Sequence, residues 1–169
     1  MEVAAGTGYW SQFIAPQAAQ LTAIDATPEA LTQIRARPGC ADVTTHTMDA
    51  YQLDTLTETY NAAFAGLWLS HVPKQKLALF LDGLHRVLQP GATILLIDNS
   101  QAQCQRLPLS HWDEQGNSYQ QRQLADGSSH QVLKNFPSHK ELLELTADRG
   151  INHYYKALEH FWLFQYNAV

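Results

Sequence analysis

Short runs of apolar or β-branched residues alternate with stretches of three- and four-residue periodicity along the first hundred positions. Met1–Ala4, Leu21–Ile24, Val43–Met48, Ala62–Trp68 and Ala92–Ile97 have the length and composition of buried strands. Between them the pattern predicts helices. Tyr9–Ala19 follows the first strand. Thr27 as N-cap, Pro28 at the first helical position and Glu29 in the first turn open a helix running to about Arg37. In Lys74–Leu88 the residues Leu77, Phe80, Leu81, Leu84, Val87 and Leu88 line one face, and Pro90-Gly91 closes the segment. Strand–helix alternation of this kind predicts an α/β fold with a parallel sheet covered on both faces.

After Asp98 the pattern changes. Asn99–Gln121 is polar, and Gln123–Leu124 and Gln131–Leu133 flank the turn residues Ala125-Asp126-Gly127, which predicts a small hairpin within an inserted segment, about residues 99–136. A last helix follows over Ser138–Asp148, with Ser138 and Glu141 as a capping box and Gly150 just past its end. Asn152–Ala168 is rich in aromatics and predicts two antiparallel strands joined at Glu159-His160.

The 169 residues are read as one domain, residues 1–169, with no room for a separate substrate domain. A formal charge of −5 supplies no cationic surface for a phosphate backbone, so nucleic acid is not an expected partner. The eight histidines are scattered, and no Cys/His group has the paired spacing of a zinc site, so no metal is expected. Cys40 and Cys104 read as reduced thiols, and no apolar run approaches eighteen residues. The N-terminus lacks the basic and apolar regions of a signal peptide. The expectation is a cytoplasmic protein with no membrane partner.

The candidate chemistry lies at strand ends. Gly6-Thr7-Gly8 stands between an apolar strand and a helix, where glycines allow close backbone approach to a ligand and a helix start presents free N–H groups. The same glycines could serve only a tight turn. Asp25, at the end of the next strand, is placed to accept both hydroxyls of a ribose, the alternative being that it caps the following helix, a role Thr27 already fills. Asp49, at the end of the third, is placed to accept from an adenine amino group, the alternative being a solvated loop acid. Three successive carboxyl ends converge on one crevice.

Glu2-Val3-Ala4-Ala5-Gly6-Thr7-Gly8 resembles the first motif of class I S-adenosylmethionine-dependent methyltransferases, acid-x-Gly-x-Gly-x-Gly, with Ala4 in place of the first glycine. Leu67-Trp68-Leu69-Ser70-His71-Val72-Pro73 resembles the fourth motif, and Leu88-Gln89-Pro90-Gly91-Ala92 the segment before the fifth strand. The resemblance covers nearly the whole chain. It implies a Rossmann-like, mostly parallel seven-stranded sheet with an antiparallel last strand, N-terminally truncated. It also implies S-adenosyl-L-methionine as cofactor, held by Glu2, Ala4, Gly6, Gly8, Asp25, Ala26, Asp49, Ala50 and Trp68. The implied reaction is methylation of an O, N or C nucleophile on a small molecule.

His71 would then lie near the transferable methyl, where a near-neutral imidazole suits a base. Ser70, Trp112 and Arg122, with His71, are the acceptor-side candidates; Trp112, Tyr119 and Arg122 of the insert could hold an aromatic or carboxylate-bearing molecule, the alternative being a surface hairpin that only packs on the sheet. Family members carry helices ahead of the first strand that cover the site, and their lack here leads to three expectations. The chain is a truncation, or it is completed by a second copy or a partner subunit, or it is a domain that binds cofactor without turnover. A nicotinamide-dependent oxidoreductase is the remaining alternative, although reading G-x-G-x-x-G from Gly6 puts Ser11 at the third glycine.

Overall fold

The polypeptide crosses the molecule as ten strands and four α-helices, and a computed structural model describes residues 1–169. β1 (Glu2–Val3), β2 (Thr22–Asp25), β3 (Thr44–Thr47), β4 (Tyr60–Gly66), β5 (Leu88–Asn99), β9 (Gly150–Ala157) and β10 (Phe161–Ala168) form one sheet in the order β3-β2-β1-β4-β5-β10-β9. The first five are parallel, and β10 runs antiparallel between β5 and β9. The sheet order reverses at β1, which pairs with both β2 and β4. Open α/β sheets collect ligands outside the strand ends at this point.

Packing follows from the strand patterns. Along β10 the inward positions Trp162, Phe164, Tyr166 and Ala168 alternate with half-buried ones, and their faces meet Ile94 and Leu96 of β5. α3 (Leu77–Arg86) lays Phe80, Leu81 and Leu84 on the same core, and α4 (His139–Thr146) adds Leu142. A smaller cluster of Ala5, Leu21, Ala23, Leu31, Ile34, Cys40 and Val43 fixes α2 (Pro28–Leu31) against β2. The capping box of α4 forms as the sequence predicts: Ser138 Oγ accepts from Glu141 N at 3.2 Å, and Glu141 Oε2 accepts from Ser138 N at 2.7 Å. No helix is long and apolar enough to cross a membrane.

Several elements differ from the sequence prediction. The helix expected over Tyr9–Ala19 is α1 (Ser11–Ile14) followed by a 3₁₀ turn, Ala15–Gln17, because Pro16 has no N–H to continue the ladder. The helix expected to run to Arg37 stops at Leu31 and resumes as a 3₁₀ turn, Ile34–Ala36. Thr27 occupies the N-cap position but its side chain makes no cap bond; Asp25 Oδ1 instead accepts from Thr27 N at 2.9 Å. Pro90-Gly91 does not stop a helix but lies inside β5, where Gly91 has φ +80° and the β4 register shifts between Tyr60 and Ala62. In the insert the expected hairpin forms, as β7 (Ser118–Gln123) and β8 (Ser129–Leu133) around the turn 124–128, and β6 (Leu109–Trp112) adds a third antiparallel strand that the sequence does not predict.

Candidate functional site

The backbone beyond β1 carries the first part of the site. Ala4, Gly6 and Gly8 all have positive φ, at 54°, 54° and 79°, so the chain leaves the strand in a tight left-handed path, closed by Gly8 N donating to Ala5 O at 3.0 Å. A Cβ on Gly8 would meet Ile34 Cγ1 at 3.0 Å, whereas one on Gly6 would meet nothing within 4 Å. Gly8→Ala is therefore expected to cost about 1–3 kcal/mol through strain and crowding, and Gly6→Ala about 1–2 kcal/mol through backbone strain alone. Thermal unfolding of both variants checks the order. The loop is clamped from outside by Arg37, whose Nε donates to Thr7 O at 3.0 Å and whose Nη2 donates to Thr7 Oγ1 at 3.2 Å. Sequence reasoning missed Arg37, because nothing in the spacing brings a residue thirty positions away to the glycines.

Asp25 closes the loop against β2. Its Oδ2 accepts from Gly6 N at 2.8 Å while Oδ1 takes the Thr27 amide, so one carboxylate ties two segments together. Asp49, exposed beyond β3, accepts from Tyr51 N at 2.9 Å. A cleft of about 220 Å³ opens between these acids, lined by Ala4, Ile24, Asp25, Ala26, Thr27, Met48, Asp49, Ala50 and Trp68. It thus gathers six of the nine residues that the resemblance assigns to the cofactor. The Trp68 ring forms one wall, between Tyr51 and Phe80 at 6.1 Å from each. A slot with an apolar wall, small residues at its floor and two carboxylates at its mouth fits a nucleoside.

The remaining three cofactor candidates do not line this cleft. Gly6 and Gly8 shape the loop beside it. Glu2 is 1% exposed and accepts from Ser11 Oγ at 2.5 Å; burial pushes its carboxyl up to about 7, against the opposing pull of the Ser11 hydroxyl. Trp10 packs on Phe64 at 5.5 Å and over Gly66.

A second group gathers beyond β4 and β5. His71 ends a 3₁₀ turn, Leu69–His71, and its Nδ1 lies 2.8 Å from the carbonyl oxygen of Leu133. A carbonyl only accepts, so Nδ1 carries the proton and Nε2 keeps its lone pair. Burial, followed by the charge of Lys134, holds the His71 pKa below its ordinary value, and the imidazole is neutral at pH 7. Behind it Lys134, 1% exposed, donates to Ser70 Oγ at 2.7 Å, Asn99 Oδ1 at 2.9 Å and Asp98 Oδ1 at 3.3 Å. Burial outweighs the attraction of Asp98 and keeps the Lys134 ammonium below its usual range.

This network corrects the place of two candidates. Ser70 is 1% exposed and its hydroxyl is spent between Asp98 and Lys134, so it supports the site from behind instead of facing an acceptor. Trp112 is 58% exposed on the edge strand β6, where it pairs with Ser118, and lines no part of the cleft. Arg122, in contrast, lies on the inward face of β7 and its charge acts on both His71 and Lys134. Asp98 and the inward polar residues Asn117, Ser118 and Gln120 were not predicted.

A family model described as a methyltransferase domain matches residues 1–91. No curated protein sequence matches the chain. Among solved structures, the DhpI-SAM-HEP complex is 25% identical, with 98% of this chain and 76% of that one covered and a TM-score of 0.81. The PH0226 protein from Pyrococcus horikoshii OT3 is 14% identical, covering 99% and 81%, with a TM-score of 0.81. The N-methyltransferase NodS from Bradyrhizobium japonicum WM9, in complex with S-adenosyl-L-homocysteine, is 15% identical, covering 99% and 76%, with a TM-score of 0.67.

Proposed function

This chain belongs to the class I S-adenosylmethionine-dependent methyltransferases, and from that premise we propose that it methylates an oxygen, nitrogen or carbon nucleophile on a small molecule, with His71 as the base. Family membership sets aside the nicotinamide alternative. S-adenosylmethionine, when bound, supplies a methyl carbon made electrophilic by its sulfonium. In this reading Asp25 accepts from the ribose hydroxyls, Asp49 from the adenine amino group, and Trp68 with Ala26 and Ala50 walls the base. Ala4, Gly6 and Gly8 shape the loop beside the methionine portion, and Glu2, expected at the ammonium, is instead buried behind that loop on Ser11 Oγ.

The observation that carries the acceptor half is the state of His71. Its proton is fixed on Nδ1 by the Leu133 carbonyl, and Nε2 has no protein partner. Nε2 is thus free to take a proton from an acceptor hydroxyl or amine as its oxygen or nitrogen becomes nucleophilic. The acid-side limb of kcat should fall below the ordinary histidine range, because protonation of His71 removes the lone pair and burial delays that protonation to lower pH. His71→Asn is expected to lower kcat about a hundredfold and to flatten that limb, with the affinity for S-adenosylhomocysteine unchanged. Unchanged kcat in the variant would remove His71 from the chemistry.

A further inference from the structure

The inserted sheet presents an unusual face to the carboxyl edge of the main sheet. Strand β7 turns Ser118, Gln120 and Arg122 inward at alternate positions, and the first two are buried at 7% and 0% exposure. A strand that packs on a core normally offers apolar side chains there; this one offers donors and acceptors. Ser118 and Gln120 find protein partners, Ser118 Oγ donating to Lys134 O at 2.6 Å and Gln120 Nε2 to Leu107 O at 2.6 Å. Arg122 does not. Its Nε is buried with no hydrogen-bond partner, its only protein bond is from Nη2 to Gln120 Oε1 at 3.3 Å, and it forms no ion pair.

The nearby carboxylate cannot serve it. Asp98 is fully buried, and its two oxygens already receive Ser70 N, Ser70 Oγ, Asn99 N and Lys134 Nζ. The insert is pinned over the end of β4 by the Leu133 contact to His71 and by Asn135 N donating to Ser70 O at 2.7 Å. The guanidinium is therefore a cation on the inward face of β7, with a buried donor left open and its charge felt at the neutral His71 imidazole. An unpaired buried donor is costly unless something completes it, and a guanidinium fork matches an oxyanion in shape and charge.

We propose that Arg122 is the acceptor-binding residue for an acid group, so that the methyl acceptor is a small molecule bearing a carboxylate or a phosphoryl group, held with its nucleophilic atom toward His71. This rests on the methyltransferase reading of the same site.

The test uses protein saturated with S-adenosylhomocysteine and follows the Arg122 Nε–H resonance by NMR. Inorganic phosphate and acetate are titrated separately, with sodium chloride of equal ionic strength as control. One or both anions are expected to shift the resonance saturably at millimolar concentration while chloride does not, and the anion saturating at lower concentration identifies the acid group. Arg122→Gln should abolish the saturable shift at His71 that accompanies binding, and Arg122→Lys should keep a weakened one. Calorimetry with S-adenosylhomocysteine on each variant reports folding and the cofactor site separately. Normal cofactor binding with no saturable anion effect in the wild type, or an equal effect in Arg122→Gln, overturns the proposal and leaves the methyltransferase reading standing. Loss of cofactor binding in the wild type would strike that reading instead.

Discussion

Asp25→Ala is expected to weaken S-adenosylhomocysteine binding about a thousandfold. Each oxygen of Asp25 already accepts one backbone amide, Gly6 N at 2.8 Å and Thr27 N at 2.9 Å, yet a carboxylate has about four lone-pair positions, so two remain for ribose hydroxyls. The two existing bonds orient the group; they do not consume it. Hydrogen bonds to a charged acceptor contribute about 1.5–3 kcal/mol each, and two of them about 3–6 kcal/mol, at about 1.4 kcal/mol per tenfold in affinity. Asp25→Asn keeps the shape and one acceptor oxygen while adding an N–H₂ group opposed to a donor, so its loss should be intermediate. Calorimetric titration of the three proteins decides. If Asp25→Ala binds within threefold of the wild type, the ribose assignment is wrong and the aspartate serves only the loop.

That double role explains why the sequence was informative at this residue without being complete. In the sequence the ribose acceptor and the helix cap read as rival roles for Asp25, with Thr27 in the cap position. In the structure Thr27 makes no side-chain cap bond and Asp25 accepts from its amide, so the turn-forming role is real and compatible with the other. The sheet was legible because its strands are apolar runs, and the C-terminal pair because its aromatics alternate. Of the insert only the β7–β8 hairpin was. Its inward face is Asn117, Ser118, Gln120, Lys134 and Asn135, a polar row that reads as a solvated loop in one dimension and is buried because its members bond to one another and to polar groups of the neighbouring elements. The ends of helices were overestimated for a local reason: Pro16 and the break after Leu31 cut periodic segments into short turns.

The same buried row supports the largest expected change in stability. Lys134→Met should destabilise the protein by about 3–5 kcal/mol, because it leaves Asp98 as an unpaired charge with no access to water. The remaining donors, Ser70 and the Asn99 amide, lower that cost without cancelling the charge. Combining it with Asp98→Asn removes the charge while keeping the shape, and should recover more than half of the loss in urea unfolding. A double variant no more stable than the single one would show that Lys134 matters for packing alone. The pair also bears on chemistry, since Lys134 lowers the His71 pKa and Asp98 raises it. Taking away the cation alone leaves the raising charge less opposed, so the acid-side limb of the rate profile should move to higher pH in Lys134→Met and return toward its original position in the double variant. A network that only held the insert in place would change stability in both proteins and leave that limb where it was.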